Sequence, residues 1–211
     1  FSMEFHLPPV LGEATAGEPL KGLRVAIDAG HGGTDAGALG SSGLAESDAN
    51  RLQADWLEHH LAQMGADICQ TRPRDPERGL DERIEVAREW KADLFVSLHF
   101  NSVAFDVDPA ERSGPIVFYH YRASEALAKS VAQRLAVWWG GGQEPRVQVQ
   151  NFRVNRNIHS VPSILIETAY LCNPRDEARI RHAGAMEKSA RAIAEGIRDH
   201  MENLARPEKS R

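Results

Sequence analysis

The chain has 211 residues, of which 42% are hydrophobic and 26% charged, and it carries a formal net charge of −5. A length of this order builds one domain with a core of its own, and the acidic balance argues against nucleic acid as a main partner, since phosphate binding wants a basic face. No apolar run nears the ~20 residues that span a bilayer, and with Cys69 and Cys172 as the only cysteines and no Cys-x-x-Cys pair, a thiolate zinc site is excluded.

In chain order, residues 1–22 hold Pro8-Pro9 and Pro19 without periodicity and read as an extended lead-in, with Phe1-Ser2-Met3 as a remnant around an internal start. No signal-peptide pattern is present, so any export signal is expected to have been removed or to lie outside the chain. Leu23–Asp28 is the first strand, followed by a glycine-rich loop from Gly30 to Gly37 that fits neither the dinucleotide fingerprint nor a Walker loop. Glu46–Met64 places Leu52, Trp56, Leu57 and Leu61 on one helical face, and Gly65 stops it. Asp67–Thr71 is a short strand and Leu80–Trp90 a helix with Ile84, Ala87 and Val86 inward. Leu94–His99, apolar throughout, is the most buried strand.

After a loop over 102–114, Ile116–Tyr121 is a strand and Ser124–Trp139 a helix with Leu127, Val131, Leu135 and Trp138 on one face. Gly140-Gly141-Gly142 breaks it, and Arg146–Val154 alternates like a strand near an edge. Ser163–Glu167 is the last core strand, Asn173-Pro174 opens a helix, and Gly184–Leu204 closes the fold, leaving a charged tail over 207–211. Strands alternating with helices imply an α/β architecture with helices on both faces of a sheet. Cys69 and Cys172 sit in or beside these strands, which favours two buried free thiols over a disulfide.

Three of the strands stop abruptly at a functional residue: Val25–His31, Leu94–His99 and Ile164–Glu167. Parallel strands deliver their C-terminal ends to one rim, where ligands bind. Two histidines and a glutamate on that rim, with Glu46 at the start of the next helix, suggest a metal site with an acid beside it. Zinc accepts imidazole and carboxylate and in catalytic sites keeps three protein ligands and one open position. His31, Glu46 and His99 fill the three. Glu167 is then the unliganded carboxylate, placed to take a proton from water and pass it to a leaving amine. Taken alone, Glu46 is an ordinary first-turn carboxylate facing the helix dipole. Glu167 is harder to dismiss, because charges are rarely buried without a partner.

The residues then resemble a family. Ala26-Ile27-Asp28-Ala29-Gly30-His31-Gly32-Gly33 is similar to the opening motif of the zinc-dependent N-acetylmuramoyl-L-alanine amidases of type 3, which cleave peptidoglycan. Glu46-Ser47-Asp48-Ala49-Asn50 resembles the second motif, Thr71-Arg72 with Leu80 and Arg83 the middle pattern, and Ser97-Leu98-His99-Phe100-Asn101 the second histidine motif. Arg156-Asn157, Val161–Glu167 and Leu171-Cys172-Asn173-Pro174 resemble the last block. The resemblance implies zinc held by His31, Glu46 and His99, with Glu167 catalytic. It implies hydrolysis of the amide between MurNAc and L-alanine of the stem peptide, in wall remodelling, daughter-cell separation or lysis. It also implies a twisted mixed, mostly parallel sheet of about six strands with helices on both faces, over residues 23–206.

Three departures stand out: Ala36 where proline is common, Phe100 where a small residue is usual and where a narrower groove is expected, and Cys172 in place of Ser or Thr. Some periplasmic members carry a helical insert that plugs the zinc. The stretch 139–156 is short and holds three glycines, so no plug and no activator protein are expected, and the chain is expected to act as a monomer on peptidoglycan in the periplasm or outside the cell. Asn101, Arg156 and Asn157 are expected to contact substrate in an open groove. The rivals are a zinc carboxypeptidase, which needs an arginine clamp such as Arg153 or Arg156, and a wall-binding module without activity, which would have lost a ligand or Glu167.

Overall fold

β-Branched and aromatic runs become strands wherever both of their faces are covered. The computed structural model describes residues 17–73, 78–140 and 142–205, and most of the expected lead-in and the charged tail lie outside them. The strands are β1 (Arg24–Ala29), β2 (Asp67–Gln70), β3 (Leu94–Asn101), β4 (Ile116–Tyr119), β5 (Val147–Val149) and β6 (Ser163–Tyr170). They form a mixed sheet in the order β2-β1-β3-β6-β4-β5. Every neighbouring pair is parallel except β4 and β6, which run antiparallel with Ile116 opposite Glu167.

Alternation along the central strands sorts the core into two layers. Val25, Ile27, Leu94, Val96, Leu98, Ile164 and Ile166 face α1 (Glu46–Gln63), α3 (Glu125–Trp139) and α6 (Ala185–Ala205). Ala26, Phe95 and Leu165 face α2 (Leu80–Glu89) and the short α4 (Arg153–Asn157). A smaller cluster of Ala49, Phe100, Trp139, Ala169, Leu171 and Ile180 sits toward α5 (Pro174–Arg181). Asn173 caps α5 by accepting from the amides of Arg175 and Asp176, with Pro174 pre-set at its first turn. Gly196 lets α6 lie directly on α3, since a Cβ there would stand 2.6 Å from Val131 Cα.

Several expectations are corrected. The strand read over Arg146–Val154 shrinks to Val147–Val149, because it has a partner only in β4; Gln150 N donates the last ladder bond to Tyr119 O, and Arg153–Asn157 turns helical. β4 ends at Tyr119, and Arg122–Ser124 forms a 3₁₀ turn. Leu52 is 44% exposed, while Asn50, Gln53, Ala54, Leu57, His60 and Leu61 make the inner face of α1; the apolar stripe misplaces the helix because its buried side is partly polar. Trp139, not Trp138, is the buried tryptophan of α3. Phe100 is 1% exposed and belongs to the core, so it does not narrow the groove. Both cysteines are free and half-buried.

Candidate metal centre and active site

β1 hands the chain to a glycine-rich turn, and the first non-glycine there is His31, at φ 59°. A β-carbon in this left-handed region costs ~1–3 kcal/mol, a strain that persists where the surroundings over-determine it. Its ring is fixed from behind: Nδ1 lies 2.8 Å from Asp35 Oδ2, and Asp35 Oδ1 accepts from Gly37 N at 3.0 Å. Nε2 is left facing Glu46 Oε1 at 3.2 Å. A carboxylate on the distal nitrogen selects the tautomer, as second partners of metal-bound histidines commonly do.

Glu46 opens α1 and is 4% exposed. Its Oε1 lies 2.9 Å from His99 Nδ1 and accepts from Phe100 N at 3.1 Å, while Oε2 accepts from Ala38 N at 2.9 Å. The two imidazoles pack edge to face with centroids 5.0 Å apart. One ligand atom each from His31, Glu46 and His99 lies within 4.8 Å of the others. Burial pushes the Glu46 carboxyl up, but hydrogen bonds from His31 and His99 outweigh it and the net shift is downward. The same hydrogen bond, donated by His31 to Glu46 and working against burial, raises the His31 pKa to about 9. Among the described residues the only ion-pair partners of this buried carboxylate are the two rings. A buried carboxylate needs a cation, and a divalent ion among two nitrogens and an oxygen satisfies that need while replacing the imidazolium proton. The donor set therefore fits a metal such as zinc.

Glu167 stands directly beside His99 in the β3–β6 register. As a residue it is half-buried, yet its Oε2 is cut off from solvent and has no hydrogen-bond partner. Burial raises its pKa to about 7; the His99 charge opposes this and the Glu46 charge adds to it. A carboxyl poised there exchanges a proton near neutral pH.

The loop glycines are part of the site. A Cβ on Gly30 would overlap the His99 ring, 2.6 Å from Nδ1 and nearer still to Cε1 and Nε2, and one on Gly37 would stand 2.6 Å from Glu46 Oε2. Gly30→Ala must displace His99 and is expected to weaken zinc binding roughly 10–100-fold, the scale of lost ligand support. Chelator competition measures it, with thermal melting alongside; an unchanged dissociation constant would show that the ring gives way freely.

The remaining expected site residues are placed differently. Asn101 lies two residues past His99, where the β3–β6 register shifts, and its Oδ1 accepts from Ser102 N at 2.8 Å. Arg156 and Asn157 are not brought to the cluster. They belong to α4 on the α2 side and line a groove of about 520 Å³ with Asp81, Ile84, Glu85, Arg88, Tyr121 and His159. Arg156 bonds Asn157 Oδ1 and Asn151 Oδ1, Asn157 bonds Asp81, and Tyr121 OH donates to Arg156 O. The reason lies in the strands: α4 precedes β6, so it packs near the end where β6 begins, whereas Glu167 sits where β6 meets the rim. Asp28, Asp35 and Asn50 gave no role on sequence grounds. Asp28 carried the same signal as Glu167, an acid ending an apolar strand, and it turns out to be 1% exposed and saturated by neighbours.

Residues 25–199 match the Amidase_3 family, described as N-acetylmuramoyl-L-alanine amidase. The chain is 34% identical to YqiI of Bacillus subtilis over 87% of each chain. It is 33% identical to the N-acetylmuramoyl-L-alanine amidase LytC of the same organism over 84% of this chain, which spans 35% of LytC. Among solved structures it is similar to the N-acetylmuramoyl-L-alanine amidase AmiC2 of Nostoc punctiforme, with a TM-score of 0.78 and 35% identity over 87% of this chain and 98% of that one. The matched span runs from β1 into α6 and takes in His31, Glu46, His99 and Glu167, and with that fold and those residues the chain belongs to the N-acetylmuramoyl-L-alanine amidase family.

Proposed function

We propose that the chain is a zinc-dependent N-acetylmuramoyl-L-alanine amidase that hydrolyses the amide between MurNAc and L-alanine in peptidoglycan. The observation that carries this reading is the β3–β6 register, which sets a desolvated carboxylate, Glu167, beside the His31, Glu46 and His99 cluster. His31, Glu46 and His99 would hold zinc, which supplies a Lewis acid that polarises the carbonyl and lowers the pKa of water to about 7. Glu167 takes the proton of the attacking water and returns it to the amino group of L-alanine as the C–N bond breaks. Asp35 keeps the His31 ring turned, and the buried Glu46 carries the charge that makes the cluster cation-selective.

Family membership and the relatives named for amidase activity support the substrate class and a site of action in the cell envelope, read here as periplasmic or extracellular. No described helix is long and apolar enough to cross a membrane. Among the described residues the stretch from Trp139 to Arg156 holds only β5 and the start of α4, which packs on the α2 side away from the metal cluster, and this supports a site that needs no activator to uncover it. Asn101 is the substrate contact nearest His99. The carboxypeptidase reading loses its clamp, because Arg153 is engaged bidentately with Asp81, and Arg156 with Asn151 and Asn157.

The test is digestion of purified sacculi followed by labelling of new amino termini, which should be L-alanine. The acid limb of kcat/KM reports loss of the Glu167 carboxylate, so activity should fall as pH drops through about 7, or lower to the extent that the cation stabilises the charge. New termini at other residues, or reducing sugar ends without free L-alanine, would point to a different bond.

A further inference from the structure

The main chain around His31 is gripped by side chains from distant elements. Ala29 O accepts from Arg72 Nε at 3.1 Å and Arg83 Nη1 at 2.8 Å. Gly30 O accepts from Asn50 Nδ2 at 3.0 Å and Arg72 Nη2 at 3.4 Å. His31 O accepts from Arg83 Nη2 at 2.6 Å. Arg83 comes from the inner face of α2, beside Ile84 and Ala87, and is 4% exposed. Its remaining donor, Nε, bonds Arg78 O at 3.0 Å, and Nη1 also reaches Asp28 Oδ1 at 3.3 Å. Asp28 takes Thr71 Oγ1 at 2.6 Å and Ser97 Oγ at 2.8 Å as well, which ties β1 to β2 and β3.

A guanidinium buried in an apolar helix face is costly unless each donor is used. Here all three nitrogens are used, and two of them serve the carbonyls on either side of the Gly30 peptide. That grip coincides with the left-handed φ of His31, a conformation a β-carbon resists and local sequence does not supply. An apolar side chain would fill the space on α2 better; a rigid planar fork is what two carbonyls and a carboxylate at fixed spacing require.

We propose that Arg83 is a positioning residue of the metal centre: its guanidinium clamps Asp28 of β1 to the carbonyls of Ala29 and His31 and so holds the strained turn that aims His31 Nε2 at Glu46 and His99. The proposal rests on the metal reading above. Arg83 touches neither metal nor substrate; it acts through the backbone of a ligand. Arg72 braces the same turn from just beyond β2, and Gly32 is required beside it, since a Cβ there would stand 2.6 Å from Arg72 Nε.

The experiment compares wild type, Arg83→Lys, the double variant Asp28→Asn/Arg83→Met, and Ile84→Val as a control from the same face of α2. Arg83→Lys keeps a cation against Asp28 but has one nitrogen for four acceptors; the double variant removes both buried charges together. Each is titrated with zinc against a competing chelator at a temperature where the variant is folded, and the cobalt(II)-loaded form is read by visible absorption. Arg83→Lys and the double variant should bind zinc about 10–100-fold more weakly, with a changed cobalt spectrum. Ile84→Val should melt lower and bind zinc like wild type. Either Arg83 variant folding with wild-type zinc affinity and cobalt spectrum overturns the proposal and leaves the metal reading intact. Failure of both to fold while Ile84→Val folds assigns Arg83 to the fold alone and likewise overturns it. A wild-type chain that binds no zinc overturns the metal reading and the proposal with it.

Discussion

Glu167→Gln is expected to bind zinc like wild type and to lose roughly 10²–10⁴-fold in turnover, the usual effect of removing a general acid–base group. The amide keeps the size of the carboxyl and makes no ligand contact, so the cluster of His31, Glu46 and His99 is undisturbed. It can neither accept the water proton nor protonate the departing amine. The same variant carries a second signature. The Glu167 pKa rises from 4.5 in a solvated chain to about 7 in the fold, so the folded state binds the proton more tightly than the unfolded state. Stability contributed by this group is therefore full at low pH and is lost as pH rises from about 4.5 through about 7. Replacing it by Gln removes that loss, and the zinc-free variant should melt higher than zinc-free wild type above pH 7, the gap closing in acid. Near-normal release of L-alanine-ended peptides from sacculi by Glu167→Gln would refute the role.

His99→Ala is expected to abolish stoichiometric zinc. Three protein ligands leave no redundancy, and loss of one should cost several kcal/mol of metal binding. Glu46 also loses one of the two rings that hold its carboxyl ionised, which leaves a buried carboxylate with His31 alone. The wild-type melting temperature should rise with added zinc, by about 4 kcal/mol of stabilisation at a thousandfold excess over the dissociation constant, and His99→Ala should not respond. Elemental analysis of the purified variant decides the matter: one zinc per chain retained by His99→Ala would falsify the ligand assignment.

Much of this was legible in the sequence because strands and ligands are marked locally. Leu94–His99, broken only by Ser97, and Ser163–Glu167 announce themselves by apolar runs, and His31 by its setting among glycines. What was not legible depends on contacts across the chain. Leu52 looks like a core residue until the fold shows that α1 presents Asn50 and Gln53 inward, to Gly30 O, Ser189 and Thr168. Arg83 stands in the middle pattern of the family resemblance without a role of its own there, and its burial follows from Asp28 fifty-five residues earlier in sequence. Arg156 and Asn157 stand close before Glu167 in sequence, but the strand between them carries them to different ends of the sheet. Asn101 was placed beside the centre because no full strand intervenes between it and His99.

β4 runs against its neighbour β6, so it begins at the rim where β6 delivers Glu167. The segment over 102–115 therefore need not cross the sheet as a helix; it stays on the catalytic edge from His99 to Ile116, with Phe105 wholly solvent-exposed at 108%. β5, parallel to β4, also starts there, so the connection that precedes it reaches the same edge. Two surface excursions that supply no ligand thus reach the rim, while His31, Glu46 and His99 come from the other elements. Such a layout separates the reaction from the choice of what is cleaved. Lengthening, shortening or grafting these two excursions should retune which wall fragments the protein accepts while the metal chemistry carries on unchanged, and a library confined to them is the natural place to select new lytic specificities.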